Sequence, residues 1–423
     1  MKYFSLVVTA MLFFAFLSPV WTEEPAALTL TQCVDIALQQ QSDVLQGALA
    51  LDAANARKTQ AKSSYYPQVT MQGNSRVLEG GVPRVTSKHS TALSISHDFY
   101  DGGLREVKVK RADADITQNS AALERTKQAV IFNVTRSYLS LLRARQLTGV
   151  AESRLEYIAG QRELVQTRVE VGEAAEVDLL PLEAQLANAR VDQLSAGNAV
   201  RTAAIQLQQA MGLTPKADFT VADVNLPVDT SIPPVDECLT QAKANRAEIK
   251  QAQAGVGLAE ASVKTTKIAL APRPVISGQI DQGLIGGNDR TYSLNAGFAY
   301  NIFNGGNTRA AYDEARANLS AAEIRAAQVV KDIDVDVQEA YLNLTNARER
   351  MSATDVSVRA AQRNMAAQDE RYKNGLAIPL DLLNAQLELT TANSNAVQAR
   401  YDYYTALAQL DFALGKQGGF YAE

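Results

Sequence analysis

The sequence predicts a mainly α-helical fold with a small β part, in which one structural unit occurs twice. Three observations lead to this prediction. The chain of 423 residues repeats itself at a nearly fixed offset, long segments carry apolar residues in heptads, and short segments alternate apolar with polar residues. The formal net charge of −5 argues against a surface that binds nucleic acid.

Residues 1–22 are predicted to be a signal peptide that directs export. Lys2 supplies the positive charge, residues 4–17 form an apolar run, and two acidic residues follow at positions 23–24. A membrane anchor is the weaker alternative, because the run is shorter than the ~20 residues that span a membrane as a helix. Later stretches are not apolar enough for a helical span, so we expect an exported protein without one.

An internal repeat relates the two halves of the chain. An offset of 203 residues aligns positions 99–212 with positions 302–415 without a gap. Upstream, the offset becomes 205 and pairs Cys33 with Cys238. The two cysteines therefore occupy equivalent positions, and we expect both to be buried in helix packing rather than joined in a disulfide.

The first repeat is predicted to cover residues 23–213. A helix over residues 28–65 leads into a β-hairpin at about residues 67–101, and a long helix follows at about residues 104–169. After a turn that contains glycine, a shorter helix over residues 177–211 completes the unit.

The second repeat, residues 235–415, is predicted to contain the same elements in the same order. Its β-hairpin lies at about residues 272–304, and its long helix at about residues 307–372. A linker that contains several prolines, residues 214–234, joins the repeats, and residues 416–423 form a C-terminal tail.

The long helices carry a small or apolar residue at nearly every seventh position. In the first repeat this series begins with Ile116, Leu123 and Val130. A sustained period of seven indicates a left-handed coiled coil. From the helices alone, an ordinary soluble coiled coil is the better interpretation.

The predicted strands favour a membrane β part. Before the first long helix, Leu93, Ile95 and His97 alternate with small or polar residues. The pattern is typical of a membrane β-barrel with a wet interior, and it also fits a half-buried strand of a soluble sheet. Four strands cannot close a barrel in lipid, so in a membrane several chains would have to share one barrel.

Each predicted hairpin ends in two glycines just before the long helix. Glycine permits the backbone angles and the close packing that a sharp corner between strand and helix requires. The candidate corner residues are Gly102, Gly103, Gly305 and Gly306.

Several segments together make the chain resemble the TolC family of outer-membrane efflux channels. They are the strand ends YDGG and FNGG, the start LTLTQCVDIALQQQSDV, and the turns RVEVGEAAEVDLLPLEAQLANA and RYKNGLAIPLDLLNAQLEL. The resemblance implies a homotrimer in the outer membrane of a Gram-negative bacterium, with a twelve-stranded β-barrel on a periplasmic helical tunnel. It implies a passive exit duct of a tripartite efflux or type I secretion system, which meets a periplasmic adaptor (membrane fusion) protein and an inner-membrane RND or ABC transporter.

The resemblance also implies roles for residues of the two turns. It assigns adaptor docking to Gly172 and Gly375. The alternative, which is compatible with docking, is that each glycine is simply a helix C-cap. It assigns Asp178 and Asp381 to the tunnel entrance, where copies from several chains would form a ring that attracts cations. The alternative for each aspartate is helix capping, because aspartate is common at helix N-termini.

Tyr372 matches a gate tyrosine of the family, and two nearby positions depart from the family pattern. Ala377 occupies the position of a gate arginine, and Asn384 occupies that of a second acidic residue at the entrance. These departures weigh against an ionic lock and a second acidic ring. Glu173 and Glu176 add negative charge to the first turn, as a partial compensation or simply as a solvated face.

We expect no cofactor, no metal ion and no enzyme activity. The sequence has no Walker-type phosphate loop and no catalytic arrangement of Ser, His and Asp or of paired carboxylates. Its two histidines, His89 and His97, are too few for a metal site. The alternative to a channel is a soluble periplasmic coiled-coil adaptor or scaffold. The sequence does not choose among drugs, metal ions and secreted proteins as substrates.

Overall fold

The computed structural model describes residues 27–80, 84–217, 219–223, 232–285, 289–374 and 376–416. The predicted signal peptide, nearly all of the predicted C-terminal tail and the docking candidate Gly375 lie outside the described residues. For residues 76–80 and 84–89, which include His89, only the backbone is described.

The described chain contains the same series of helices and strands twice. The first repeat contains α1 (Leu30–Gln40), α2 (Ser42–Ser63), β1 (Gln68–Gly80), β2 (Arg84–Tyr100), α3 (Leu104–Glu170) and α4 (Leu180–Ala210). The second repeat contains α5 (Val235–Asn245), α6 (Ala247–Ala269), β3 (Arg273–Ile285), β4 (Arg290–Ala299), α7 (Asn307–Lys373) and α8 (Pro379–Ala413). Within the described ranges, every helix falls short of the combined length and apolarity that crossing a membrane requires.

The prediction of one continuous helix over residues 28–65 is wrong. The backbone of Gln41 is extended, with φ −66° and ψ 126°, so α1 and α2 are separate helices. Gly212, which follows α4, lies against this break. Its φ is +74°, and a Cβ atom there would lie 2.9 Å from the carbonyl oxygen of Gln40. The bend at Gln41 thus lies where the end of α4 meets the first helix segment.

The second repeat is broken at the equivalent position. Arg246 is extended between α5 and α6, and Gly415, with φ +71°, lies against it after α8. The buried guanidinium of Arg246 donates from Nη2 to Oδ2 of Asp336 at 2.8 Å and from Nη1 to the carbonyl oxygen of Ala413 at 3.2 Å. A buried cation therefore ties this break to α7 and to the end of α8.

The described part of the linker is held against the first repeat. Leu28 and Val221 form a parallel β-bridge. The hydroxyl of Tyr138 donates to the carbonyl oxygens of Leu28 and Ala222, and Nη1 of Arg145 donates to that of Val221 at 2.7 Å. These contacts fasten the linker to α3.

The four strands form one antiparallel sheet in the order β1-β2-β3-β4, so the two hairpins lie side by side. One row of directly paired residues across all four strands is apolar: Val69, Ile95, Ile280 and Tyr292. The next row is polar: Thr70, Ser94, Asp281 and Thr291. Because neighbouring rows point to opposite faces, the sheet has one apolar and one polar face, as the alternating sequence predicts.

β4 ends at Ala299, five residues before the end of the predicted hairpin at about residue 304. Ala299 pairs with Arg273, the first residue of β3, so β3 offers no partner beyond this point. Ile302 and Phe303 are 88% and 87% exposed.

Each repeat has its own core around its long helix. Cys33 is buried in the first core beside Tyr138, and Cys238 is buried in the second core beside Val337. Both cysteines are free thiols, in agreement with the prediction from the sequence. The two repeats are joined where α3 packs against α6 and α8, and Leu139 of α3 lies within the second core.

Candidate functional site at the helix turns

Two turns, one in each repeat, lie at the opposite end of the long helices from the sheet. α3 and α7 begin just after the hairpins, and each runs for 67 residues to a turn that leads into α4 or α8. At 1.5 Å per residue, each long helix is roughly 100 Å long. The whole helical body therefore separates the turns from the sheet.

Gly172 ends α3 in a left-handed conformation. Its φ is +81°, its N–H donates to the carbonyl oxygen of Val169 at 3.0 Å, and the N–H of Glu173 donates to that of Arg168 at 2.8 Å. This is the usual arrangement of a glycine C-cap. No other group lies within 4 Å of the position that a Cβ atom would take, so the glycine also borders open surface.

The second turn repeats part of this geometry around Gly375, which itself lies outside the described residues. The N–H of Leu376 donates to the carbonyl oxygen of Arg371 at 2.8 Å, in the way that Glu173 bonds to Arg168 in the first turn. The two turns therefore share one backbone hydrogen bond at equivalent positions.

The two aspartates cap the segments that follow the turns. Oδ2 of Asp178 accepts a hydrogen bond from the backbone N–H of Ala175 at 3.3 Å, and Oδ2 of Asp381 accepts one from Ile378 at 3.4 Å. Asp178 is half-buried and Asp381 is exposed. Capping is one of the two roles that the sequence predicts for these residues. The carboxylate ring involves neighbouring chains and stays a prediction.

Tyr372 connects the two long helices close to the turns. Its side chain is buried, and its hydroxyl oxygen accepts a hydrogen bond from Nη1 of Arg168 at 3.3 Å. The guanidinium carbon also lies 5.3 Å from the centre of the tyrosine ring. Sequence reasoning did not find Arg168 as the partner. The only sequence signal for Arg168 is that it recurs in the second repeat as Arg371. This recurrence does not show which of the two arginines contacts Tyr372.

Tyr157 on α3 lies near the same contact. Desolvation by burial raises the pKa of its phenol to about 12, and the carboxylate of Asp369 and the phenol of Tyr372 add to this shift. Asp369 is itself bonded to Nζ of Lys373 at 2.7 Å. The contact between α3 and α7 therefore combines the neutral phenol of Tyr157, the guanidinium of Arg168 and the ring of Tyr372.

An apolar cluster joins the helix pairs at the turns and was missed from the sequence. Leu383 of α8 is buried together with Val165 of α3 and with Leu179 and Leu182 of the first turn and α4. The neighbouring Asn384, predicted at the entrance, is exposed. The contacts between the helix pairs near the turns thus include this cluster and the contact of Arg168 with Tyr372.

The surfaces of the two turns differ in charge and are alike in exposing apolar side chains. The first turn exposes the acidic residues Glu170, Glu173 and Glu176, whereas the second exposes the basic residues Arg371 and Lys373. Each turn also exposes three large apolar side chains: Val171, Val177 and Leu180 in the first, and Leu376, Ile378 and Leu380 in the second. Exposed apolar patches of this kind often mark a surface that contacts another protein.

The predicted corner glycines all have left-handed backbones. The φ angles are +75° at Gly102, +89° at Gly103, +66° at Gly305 and +85° at Gly306. A Cβ atom on Gly102 would overlap the side chain of Arg273. Both reasons given for glycine at this corner, its backbone freedom and its small size, therefore apply to Gly102.

Arg105 fastens the first corner. Its guanidinium donates to the carbonyl oxygens of Asp98 and Phe99, each at 2.8 Å, and lies over the ring of Tyr65. The carboxylate of Asp101 accepts from the N–H groups of Gly103 at 3.2 Å and of Arg105 at 2.9 Å. The strand end and the helix start are therefore tied together by one arginine and one aspartate.

The described residues contain no cluster of three or more His, Cys, Asp and Glu that could hold a metal ion. His97 lies edge-to-face against Phe99 with ring centres 4.8 Å apart.

Comparison with known proteins gives matches over most of the chain. The model of the family described as outer membrane efflux protein matches residues 33–213 and 238–416. The outer membrane efflux protein BepC of Brucella suis is 26% identical over 365 residues, which cover 84% of this chain and 78% of the relative. The outer membrane protein TolC of Vibrio cholerae is 23% identical over 415 residues, which cover 94% of this chain and 92% of the relative.

The fold is also similar to that of a solved structure. The structure of CusC, described by its authors in terms of transmembrane channel formation, matches with a TM-score of 0.81 at 18% sequence identity, and the match covers 92% of both chains.

Proposed function

The chain belongs to the outer membrane efflux protein family, and we propose that three copies of it assemble into a passive duct that an inner-membrane transporter loads through a periplasmic adaptor. As a member of this family, the protein is an outer-membrane efflux channel with a long helical part in the periplasm, and it serves a tripartite efflux or secretion system. The family consists of channel proteins and not of enzymes. The family membership supports a channel over the alternative, a soluble periplasmic coiled-coil adaptor or scaffold.

The trimer is supported above all by the four-stranded sheet. The sheet has one apolar and one polar face, which suits lipid on one side and a wet interior on the other. Four strands with open edges cannot stand alone in lipid, because every backbone polar group there needs a partner. Three copies would supply twelve strands and close the barrel.

The turns would then form the periplasmic entrance, roughly 100 Å from the barrel. In this proposal Asp178 and Asp381 border the opening, and their copies create a negative potential that attracts cations. Tyr372 holds α7 against α3, and Asn384 lines the opening without adding charge. Capping by the two aspartates is compatible with this role, because it fixes the side chain of Asp381 in the first turn of α8 and that of Asp178 at the end of the short 3-10 segment before α4.

Adaptor docking at the turns is supported by their exposed apolar surface. Gly172 borders open space, and Leu376, next to Gly375, is 69% exposed. A partner that packs against both turns would contact exposed apolar side chains together with the accessible backbone of Gly172. The substrate class then follows from the transporter that the adaptor brings, whether small solutes, metal ions or secreted proteins.

A photo-cross-linking experiment in living cells tests this docking site. A photoreactive amino acid replaces Leu376, and a control chain carries it at Arg309, an exposed residue at the sheet end of α7. We expect mass spectrometry to identify a periplasmic adaptor from the Leu376 chain and not from the control. Equal capture at both positions, or capture of only soluble periplasmic proteins, would contradict docking at the turns.

A further inference from the structure

A polar groove lies beside α3 at the level where the two repeats meet. It has a volume of about 440 Å³ and is bordered by α3, α4 and α8. Its lining is rich in hydrogen-bond donors: Arg136, Ser137, Ser140, Arg143, Gln206 and Thr405. Pockets of this size accommodate small organic molecules. The guanidinium groups add fixed positive charge, so the groove is suited to bind negatively charged oxygen atoms.

The arginines of the groove are only partly neutralised. Asp402 of α8 is the acidic residue of the lining, and two arginines share its carboxylate. Oδ1 lies 3.6 Å from Nη1 of Arg143, and Oδ2 lies 3.3 Å from Nη2 of Arg350 on α7. Arg136 lies over the ring of Phe132 at 5.9 Å and forms no ion pair with any described residue. Three cations therefore stand against one carboxylate at this groove.

The groove lies on the opposite side of α3 from the linker. Tyr138 and Arg145 hold the linker on one side of the helix. Arg136 and Arg143 each come two residues earlier, which is about 200° away around a helix of 3.6 residues per turn. In a closed ring of helices, an added segment of chain fits on the outside, where the circumference is larger. In the proposed duct, the groove would therefore face the interior.

The equivalent face of the second repeat has a different charge. Glu339 occupies the position of Arg136, and Asn346 occupies that of Arg143. Both side chains are exposed. The positive charge is therefore a property of the groove beside α3 and not of the repeated helix. In a ring of three copies, cationic grooves would alternate with acidic faces, so an anion would be held by contact within one groove.

We propose that this groove binds small organic solutes that carry two or more carboxylate or phosphate groups as they pass through the duct. Arg136 and Arg143 are seven residues apart, about 10.5 Å along the helix, so they can contact two anionic groups of one molecule. Arginine forms paired hydrogen bonds to carboxylate and phosphate oxygens, and Ser137 and Ser140 add hydroxyl donors between the two arginines. The site depends on the proposed duct, and it defines a class of solute that the duct carries.

The groove is distant from the acidic residues proposed at the entrance. Arg143 precedes Glu170, the last residue of α3, by 27 residues, or about 40 Å. Interactions between exposed charges are largely screened beyond about 8 Å at physiological ionic strength. The two charged regions therefore act independently. Binding in the groove has to be weak, because a site that held a solute tightly would slow its passage.

Block of the channel by citrate tests the site. The trimer is placed in a planar bilayer at low salt, and citrate is added on the barrel side, so that it reaches the groove without crossing the entrance. The variant is Arg136→Gln. The control is Arg359→Gln, because Arg359 is an exposed arginine of α7 that does not line the groove. Sucrose, which is neutral, serves as the control solute.

We expect millimolar citrate to lower the conductance of the unmodified protein and of the control variant alike, and sucrose to have no effect. Half-maximal block of Arg136→Gln should need a roughly tenfold higher citrate concentration, because a charge-assisted contact is lost. Arg136→Lys keeps the charge without the paired donors, so its block should be intermediate.

The outcomes separate this site from the duct itself. Equal citrate block in all variants, or no block of a conducting trimer, would overturn the site and leave the proposed duct intact. Binding of citrate that depends on Arg136 in titration calorimetry, without any block, would place the groove outside the passage and overturn its role in transit. Trimers that form no conducting channel would overturn the proposed duct.

Discussion

Leu383 is the residue through which α8 enters the apolar cluster at the first turn, and the substitution Leu383→Ala measures how strongly that cluster holds the two helix pairs together. The side chain is 4% exposed and packs with Val165, Leu179 and Leu182. Alanine removes three carbon atoms from this contact and leaves a small cavity. Buried Leu→Ala substitutions cost 2–5 kcal/mol, and a small cluster near the surface can partly collapse, so we expect about 2–3 kcal/mol.

That free energy has a direct consequence for the entrance. Suppose that the entrance widens when the two helix pairs separate. The substitution Leu383→Ala then destabilises only the narrow entrance, in which Leu383 is buried, because the side chain is exposed once the helix pairs have separated. A loss of about 2–3 kcal/mol shifts the ratio of narrow to separated states by about 30- to 150-fold, at about 1.4 kcal/mol for each factor of ten. Single-channel recordings in planar bilayers should then show a marked rise in the time spent at high conductance.

The matched control is Leu376→Ala, which shortens an exposed leucine of the second turn. We expect its conductance to equal that of the unmodified protein. A Leu383→Ala trimer of normal stability with unchanged conductance would refute the reasoning, because it would mean that the cluster does not oppose opening.

Three further predictions concern the entrance charge, the corner and the buried thiol. Asp381→Asn keeps a capping side chain but removes charge, so block by multivalent cations added on the periplasmic side of a planar bilayer should weaken several-fold. Arg105→Ala removes two hydrogen bonds to strand carbonyls, so the trimer should dissociate at a temperature several degrees lower, whereas Arg309→Ala at the second corner should be neutral. Burial raises the pKa of the Cys33 thiol from 9.0 to about 12, so its contribution to stability is complete below pH 9 and is lost as the pH rises toward 12. Thermal unfolding followed by circular dichroism between pH 8 and 11 should therefore show a smaller alkaline loss in Cys33→Ala.

Each of these predictions has an outcome that contradicts it. Unchanged cation block would remove Asp381 from the entrance. Equal dissociation temperatures for the two arginine variants would mean that Arg105 does not fasten the corner. The same alkaline slope with and without the thiol would assign the pH dependence to other groups, of which the buried Tyr138, whose phenol pKa is also raised by burial, is the first candidate.

Repetition made much of the fold predictable from the sequence. The offset between Gly102 and Gly305 located both corners, and the alternation around Ile95 identified the strand faces. The break at Gln41 was missed because the helical pattern continues on both sides of it, and the contact of Gln40 with Gly212 at the end of α4 is visible only in the structure. The local signal was the pair Ser42 and Asp43, residue types that are common at the start of a helix.

The turns were less predictable, because their contacts cross between helices that are distant in sequence. The turn glycines and the capping aspartates follow from local rules for helix ends. The pairing of Arg168 with Tyr372 and the burial of Leu383 depend on how α7 and α8 lie against α3 and α4. Heptads predict which face of a helix is buried, and they leave open which residues meet at its end.

The difference in charge between the two turns has a consequence for how such a protein can change. In a ring of three copies the turns alternate, so a substitution at Glu173 alters three positions out of six, and a substitution at Leu376 alters the other three. A partner that contacts all six positions meets two kinds of surface in alternation. Each kind can acquire mutations while the other maintains binding, which gives a duplicated gene two independent routes to a new partner.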